Sequence, residues 1–355
     1  MSVRRRGSFS LALLTSPLYQ AVMVLTTFSL LAVISYYSLT SFRNFDPAPQ
    51  LSTWPVSKPV VPVKTGLYIN NFLKFDVVKN NFTIDAVLWF EYDPKLVSLA
   101  ELQRSFFSKG KFIEQATLSE APKIEHRGQR ELARFNIKLE FVSNLNYRLY
   151  PFDNHRLFLV LNNKHLTAKD KDDVPVMLQA DQASFVVAPE IYTPGWKCLR
   201  HSVRSGYAVD QLDRNNAHRT EFPRVIFEID FMNNSIKDIL IIILPLFVVF
   251  FMALLSFHIM GVENARSEMR ALMIAASAAS ALLSYRFVIS SIAPSVDYFM
   301  FIDQIFNVFL LCMFAVFMLN CFFLENAPRR RGELILLFHL ILIVSWTYFL
   351  YAWVG

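Results

Sequence analysis

Five apolar runs, each long enough to cross a bilayer as a helix, constrain this chain more than any other feature. One lies near the N-terminus, at about residues 19–37, and four follow a long polar region, at about residues 236–260, 269–290, 298–324 and 334–353. The 355 residues are 54% hydrophobic and only 18% charged. This composition predicts an integral membrane protein with room for one soluble domain.

Basic residues concentrate beside these runs, as the arginines at residues 4–6 and 329–331 show. The positive-inside rule therefore explains the net charge of +6 better than a nucleic-acid partner does. The first run ends without the small residues of a cleavage site, which predicts a retained helix with a cytoplasmic N-terminus. Five spans then place the polar region outside the cytoplasm, and we expect a plasma membrane protein, or in a bacterium an inner membrane protein with this region in the periplasm.

The polar region shows the period of β-strands. In residues 82–92, six side chains face one way: Phe82, Ile84, Ala86, Leu88, Phe90 and Tyr92. Residues 135–141 and 225–231 repeat the alternation, which predicts the antiparallel strands of a β-sandwich. A helix is expected there only near residues 99–108.

The fold class is therefore membrane α+β, in four parts. Residues 1–42 are expected to hold a cytoplasmic N-terminus and the first membrane helix, and residues 43–64 a proline-rich linker. Residues 65–233 would form the sandwich, and residues 234–355 a four-helix membrane bundle.

The sequence offers no chemistry typical of an enzyme. The seven histidines are scattered, and Cys198 is the only cysteine of the soluble region. Paired carboxylates, a nucleophile triad, metal-ligand spacing and nucleotide-binding motifs are all missing. We expect no enzyme, no cofactor and no bound metal.

The run at residues 268–294 differs from its neighbours because its middle is Ala and Ser. At about 100° per residue, four hydroxyls fall within an arc of about 60°: Ser277, Ser280, Ser284 and Ser291. Arg270, Met273 and either Phe287 or Val288 lie on the same arc. Such a stripe is typical either of close helix packing or of the wall of a water-filled path.

A β-sandwich followed by four membrane helices, the second with a serine stripe, resembles the pentameric ligand-gated ion channels. Residues 149–153, LYPFD, are similar to the family's turn between two sandwich strands, and residues 76–94 resemble its early strand pair. Residues 298–306, YFMFIDQIF, look like the start of the third membrane helix in bacterial members, and Pro245 sits where their first helix carries a proline. The resemblance covers about residues 62–355.

The departures from the family are informative. Ser143 and Leu157 stand where animal members carry two cysteines, so the chain resembles the prokaryotic type without the signature disulfide. Asn162 and Asn163 lie where the family has its principal ligand-site aromatic, and an aromatic cage for an amine is not expected. The N-terminal helix lies outside the common pattern. The ligand candidates are Trp89, Asn162, Asn163, Trp196 and Tyr207.

The resemblance implies a homopentameric receptor and ion channel whose external sandwich senses a small molecule or protons, with inorganic ions and membrane lipids as further partners. Its pore-lining residues would be Arg270, Met273, Ser277, Ser280, Ser284, Phe287 and Ser291. A second register turns Arg270 away and puts Ala276, Ala279 and Leu283 in the pore. The agonist and the ion selectivity stay open.

The resemblance also implies that the turn couples the sandwich to the pore helices through the connector at residues 291–297, which contains Pro294. The coupling residues would be Tyr150, Pro151, Phe152 and Asp153. The alternative is a turn that merely packs, with Asp153 capping backbone N–H groups. His155 and Arg156, which follow the turn, are predicted to be solvated strand residues.

One charge on the serine-striped helix faces away from the hydroxyls. Arg286 lies eight residues before Pro294, and Asp303 lies nine residues after it, so both reach similar depth. We expect these two side chains to pair, within one subunit or between adjacent subunits. Two functions of other classes remain open, a non-conducting membrane sensor and a membrane-anchored enzyme.

Overall fold

The computed structural model describes residues 17–40, 46–52, 59–113, 117–118, 121–166, 174–211, 219–259, 265–322 and 331–352. The chain divides into two units. The helical unit consists of Met1–Phe42, Tyr147–Asp153 and Ser235–Gly355, and the β unit consists of Arg43–Asn146 and Asn154–Asn234. The turn at residues 147–153, expected within the sandwich, thus groups with the membrane helices.

The β unit contains two sheets. Its strands are β1 (Val61–Asp76), β2 (Asn81–Tyr92), β3 (Phe106–Ser108), β4 (Gly110–Phe112), β5 (Lys123–Arg127), β6 (Arg130–Phe141), β7 (His155–Asn162), β8 (Val176–Gln179), β9 (Phe185–Val187), β10 (Trp196–Gln211) and β11 (Arg219–Asn233). A seven-stranded sheet runs β4-β6-β2-β1-β8, with β5 on β6 and β9 on β1, and a four-stranded sheet runs β10-β11-β7-β3. Among the described residues of the β unit, the helices are a short α-helix at Leu99–Gln103 and a 3-10 turn at Gln182–Ser184.

The two sheets face each other through aromatic side chains. The ring centres of Phe72 on β1 and Phe231 on β11 lie 5.6 Å apart, and those of Phe185 on β9 and Phe227 on β11 lie 5.1 Å apart. The six side chains predicted to share one face of β2 are all buried, which confirms the alternation. Burial of each Phe, Leu or Ile side chain among them contributes about 1.5 to 3 kcal/mol of hydrophobic free energy.

A short helix interrupts the strands where one was expected. Helix α2 (Leu99–Gln103) begins after Ser98, whose hydroxyl accepts the N–H of Glu101. The Glu101 carboxylate in turn accepts the N–H of Ser98 at 3.0 Å, which completes a capping box.

The linker at residues 46–52 lies along the outer face of the four-stranded sheet. Leu51 packs against the buried side chains of Phe158, Val160 and Ile226. The Asp46 carboxylate accepts the N–H of Arg156 at 2.6 Å. This segment therefore covers polar and apolar positions that an uncovered sheet would leave in water.

The expectation of solvated residues after the turn was wrong. His155 is only 1% exposed, and its Nδ1 lies 3.4 Å from the Asp46 carboxylate. Arg156 is half-buried and binds Asp230 of β11 at 2.5 Å, a contact that raises the pKa of the guanidinium. His155 pairs with Phe231, whose ring lies between the two sheets, so the imidazole faces the interior, whereas Arg156 on the other face is held by an acidic side chain of the neighbouring strand.

The helical unit holds five helices long and apolar enough to cross a membrane among its described residues. They are α1 (Pro17–Thr40), α3 (Ile236–Ile259), α4 (Ala265–Ile292), α5 (Phe301–Phe322) and α6 (Arg331–Tyr351). The predicted number of spans is confirmed, and the chain has the layout of a multi-pass membrane protein.

Helix α1 is attached to α6 by buried hydrogen bonds. The hydroxyl of Thr27 lies 2.8 Å from the His339 Nδ1, and the Trp346 indole donates to the Ser35 hydroxyl at 3.0 Å. Polar pairs of this kind hold helices together in an apolar solvent, where helix association lacks a hydrophobic driving force. The N-terminal helix is thus a fifth member of the bundle.

Candidate functional site

Helix α4 has two contrasting faces. The buried side chains lie within an arc of about 60°: Ala271, Ala275, Ala278, Leu282 and Ile289. The predicted pore-lining side chains all lie exposed about 160° away: Arg270, Met273, Ser277, Ser280, Ser284, Phe287 and Ser291. Small alanines on the buried face allow neighbouring helices to approach closely, so the bundle turns the serine stripe outwards.

The alternative face is less exposed than the serine stripe. Ala276 and Ala279 are half-buried, although Leu283 is exposed. By contrast, Met273 is 62% exposed and Phe287 is 79% exposed. Of the two faces that the sequence leaves open, the hydroxyl face is therefore the more exposed on the single chain.

The hydroxyls of the stripe bond within their own helix. Ser280 donates to the Ala276 carbonyl at 3.0 Å, and Ser284 donates to the Ser280 carbonyl at 3.0 Å. Each proton is thereby satisfied without a neighbouring helix, and the oxygen lone pairs remain available as acceptors on the exposed face. Such a row offers hydrated ions polar partners without a fixed charge.

The structure brings Arg286 and Asp303 together within one chain. The Arg286 guanidinium donates to the Asp303 carboxylate at 2.5 Å and lies 5.3 Å from the ring centre of Phe306. The second carboxylate oxygen accepts the N–H of Met300 at 3.0 Å. Because Asp303 lies in the first turn of α5, its charge also suits the helix dipole.

The turn at residues 147–153 binds the connector between α4 and α5. The Tyr150 hydroxyl donates to the Ile292 carbonyl at 3.2 Å, and the Phe301 N–H donates to the Arg148 carbonyl at 2.8 Å. These two bonds join one turn to the end of α4 and to the start of α5. A displacement of the turn would therefore act on both helices.

The buried side chains of the same turn pack among aromatic residues. The Phe152 ring lies 5.4 Å from that of Phe301 and 6.1 Å from that of Trp346, in edge-on geometry. Trp346 is also the residue that binds α1, so the turn, α5, α6 and α1 share one aromatic cluster. The other predicted coupling residues are buried as well: Pro151, Asp153 and Pro294.

The five ligand candidates do not form one site. Trp89 lies on β2 in the seven-stranded sheet. Trp196 lies at the start of β10, and its ring centre is 5.4 Å from that of His155. The Asn163 amide donates to the Glu101 carbonyl at 2.8 Å, which is a structural bond.

The Tyr207 hydroxyl also makes a structural hydrogen bond, whereas Asn162 binds a charged side chain. The buried Tyr207 hydroxyl donates to the Val176 carbonyl at 3.1 Å, and burial raises the pKa of Tyr207 to about 12. Asn162 binds a charged group, because its amide oxygen accepts from the Arg224 Nε at 2.7 Å.

Sequence reasoning missed Arg224 and Lys109 of the β unit and the contacts of α1. Thr27 and Ser35 are small polar residues in an apolar run, and this composition could have indicated a helix-packing face. No cluster of side chains able to hold a metal lies among the described residues. No protein-family model matches this sequence, and none of the curated proteins is significantly similar to it.

Proposed function

We propose that the protein is the subunit of a homopentameric ligand-gated ion channel in which the α4 helices line the ion path. The observation that carries the proposal is the exposed hydroxyl stripe of α4, opposite its buried alanine face. A stripe with hydroxyls and Arg270 is costly in hydrocarbon, so a membrane protein covers it with other helices or with water. A ring of subunits supplies the water-filled axis.

The stoichiometry of five and the gating rest on the resemblance to the ligand-gated channels. In this arrangement Met273 and Phe287 form apolar rings that close the path by dewetting. The turn at residues 147–153 passes movement of the external β unit to α4 and α5, which its hydrogen bonds to Ile292 and Phe301 support. The arginine pattern of the loops supports a β unit on the external side.

A groove of about 530 Å³ between α3 and α4 supports assembly. Arg270, Met273 and Ser277 line it together with apolar side chains such as Met252. The α3 side of this groove gives a neighbouring subunit an apolar surface to pack against, while the α4 stripe residues on its other side face the axis.

The experiment measures assembly and flux in the same preparation. We expect the purified protein to have five times the chain mass of 41.0 kDa after subtraction of detergent, and liposomes that contain it to release ions over some part of a pH and ligand series. Ser280→Trp should abolish this flux, because five indoles would fill the axis. The control is Val344→Trp on α6, a position that is 64% exposed and would face lipid.

Two outcomes would contradict the proposal. A monomer would remove the axis, and a pentamer that stays impermeable under every condition would favour the non-conducting sensor. Equal flux from Ser280→Trp and from the unmodified protein would place the ion path elsewhere.

A further inference from the structure

A cavity of about 330 Å³ lies in the β unit between the linker at residues 46–52 and the outer face of the four-stranded sheet. Its apolar wall consists of Pro47, Ala48, Pro49, Val142, Phe158 and Val160. Its polar wall comes from the linker, from the turn after β3 and from the chain before β7. Small-molecule sites typically have this composition, an apolar cavity of at least 300 Å³ with a few convergent polar groups.

Arg224 is the first of two cations in this cavity. Its Nε donates to the Asn162 amide oxygen at 2.7 Å, and its Nη1 donates to the Gln50 carbonyl at 3.1 Å. Asn162 is itself fixed, because its amide nitrogen donates to the Ser108 hydroxyl at 2.6 Å. Two of the five guanidinium N–H groups are thus occupied by named partners, and the fork is held in one orientation.

The guanidinium lacks a carboxylate partner among the described residues. Asp210 is the acidic group that acts on it electrostatically, and that carboxylate is bound by Lys164 at 2.5 Å. Burial lowers the pKa of Arg224, because removal from water disfavours the charged guanidinium. An anion in the cavity would offset that cost.

Lys109 is the second cation. It occupies the turn between β3 and β4 with a φ of 57°, and its ammonium group donates to the Asn144 amide oxygen. Asn144 and the Ser143 residue before it also line the cavity, and no acidic side chain lines it within the described part of the chain. The cavity therefore carries two positive charges and only neutral acceptors.

We propose that this cavity binds a small organic carboxylate with an apolar body. The carboxylate would accept from Arg224 and Lys109, and the body would lie against Phe158, Val160 and the linker prolines. The two cations disfavour an amine or a metal ion. The apolar wall disfavours inorganic phosphate, which has no surface to bury there. This site goes beyond the proposed channel function, since binding to one chain requires no conduction.

The test is fluorine NMR of 4-fluorobenzoate with the full-length protein in detergent micelles, corrected for partition into empty micelles. We expect saturable binding, and binding at least tenfold weaker for the neutral isostere 4-fluorobenzamide. Arg224→Gln and Lys109→Gln should each weaken binding by about 10-fold or more, since each removes a charge-assisted hydrogen bond. The matched control is Lys123→Gln, a lysine on the exposed strand β5, which should leave binding unchanged.

Lys109 is exposed, so its variant tests the site even if Arg224→Gln fails to fold. Equal binding of the benzamide would overturn the proposal, as would Lys109→Gln binding that equals that of the Lys123→Gln control. Full displacement of the fluorobenzoate by inorganic phosphate at equal concentration would also overturn it, because the apolar wall would then contribute nothing. Since the readout is binding, failure here leaves the flux and mass measurements of the channel proposal unaffected.

Discussion

Removal of Arg286 should destabilise the helical unit by stranding the Asp303 carboxylate. Asp303 is only 6% exposed, and one of its oxygens binds the guanidinium at 2.5 Å. Breaking a buried ion pair costs about 3 to 5 kcal/mol. Two features point to the lower end: the other oxygen keeps the Met300 N–H, and the Arg286 side chain is 39% exposed. We therefore expect Arg286→Ala to cost about 3 kcal/mol.

The change at the other partner separates the two bonds of the carboxylate. Asp303→Ala removes both the ion pair and the acceptor for Met300, whereas Asp303→Asn keeps a neutral acceptor. The difference between these two variants should be about 1 kcal/mol, the usual effect of a helix-start acceptor. The double change Arg286→Ala with Asp303→Ala should recover about 2 kcal/mol relative to the sum of the single changes.

The assay uses a thiol that the structure provides. Cys312 is buried in α5, so a dye that fluoresces on reaction with thiols reports thermal unfolding of the helical unit when Cys198 and Cys321 are replaced by serine. A loss of about 3 kcal/mol should lower the midpoint by about 6 to 12 °C. Arg270→Ala is the control, because it removes an exposed arginine of the same helix and should change the free energy of unfolding by less than about 0.5 kcal/mol. Additive losses in the cycle would refute the pairing as a source of stability.

Three further substitutions test the roles of the turn, of helix α1 and of a buried tyrosine in the β unit. Asp153→Ala should leave the oligomer assembled but weaken activation of ion flux, and loss of the oligomer on a sizing column would instead assign the turn a packing role. Thr27→Val should lower the melting midpoint of the helical unit, because it strands the buried His339 nitrogen at a cost of about 1 to 3 kcal/mol, while Thr26→Val, at an exposed position, should not. Tyr207 has a pKa of about 12 in the folded chain against about 10 unfolded, so its stabilising effect is complete below pH 10 and is lost as the pH rises towards 12. Denaturant titrations of the β unit at pH 9 and 11 should show this loss, and Tyr207→Phe should reduce it.

The periodic features of the fold could be predicted from the sequence. The burial of alternate β2 residues and the five spans follow from local patterns of apolar residues, which adjacent structure reinforces. Helix geometry predicts that the α4 hydroxyls share one face. Helix geometry and one chain reversal together predict that Arg286 lies close to Asp303. Such properties depend on a few neighbouring residues.

The features that the sequence did not reveal depend on contacts between distant segments. The buried His155 ring lies 5.4 Å from that of Trp196, and its Nδ1 contacts the carboxylate of Asp46, more than a hundred residues earlier. The cavity at Arg224 combines the same linker with four other stretches of chain. The linker carries no periodic signal, and no local pattern predicts which face of a sheet a linker will cover.

In the proposed channel, water, and not lipid or protein, faces the hydroxyl stripe of α4. The direct measurement places single cysteines in a chain whose own cysteines are removed and exposes proteoliposomes to a charged thiosulfonate reagent. The reagent reacts with the thiolate, which forms only where water reaches the side chain. Intact-mass spectra then give the modified fraction of each variant, whether or not the channel is open.

Cysteines at Ser277, Ser280 and Ser284 should be modified, and block flux where flux is observed. Two controls should stay unmodified: a cysteine at Ala275, which is buried, and one at Val344, which is exposed on the single chain but would face lipid. If the three serine positions were as protected as Val344, the stripe would face hydrocarbon or another helix, and α4 would not line an ion path.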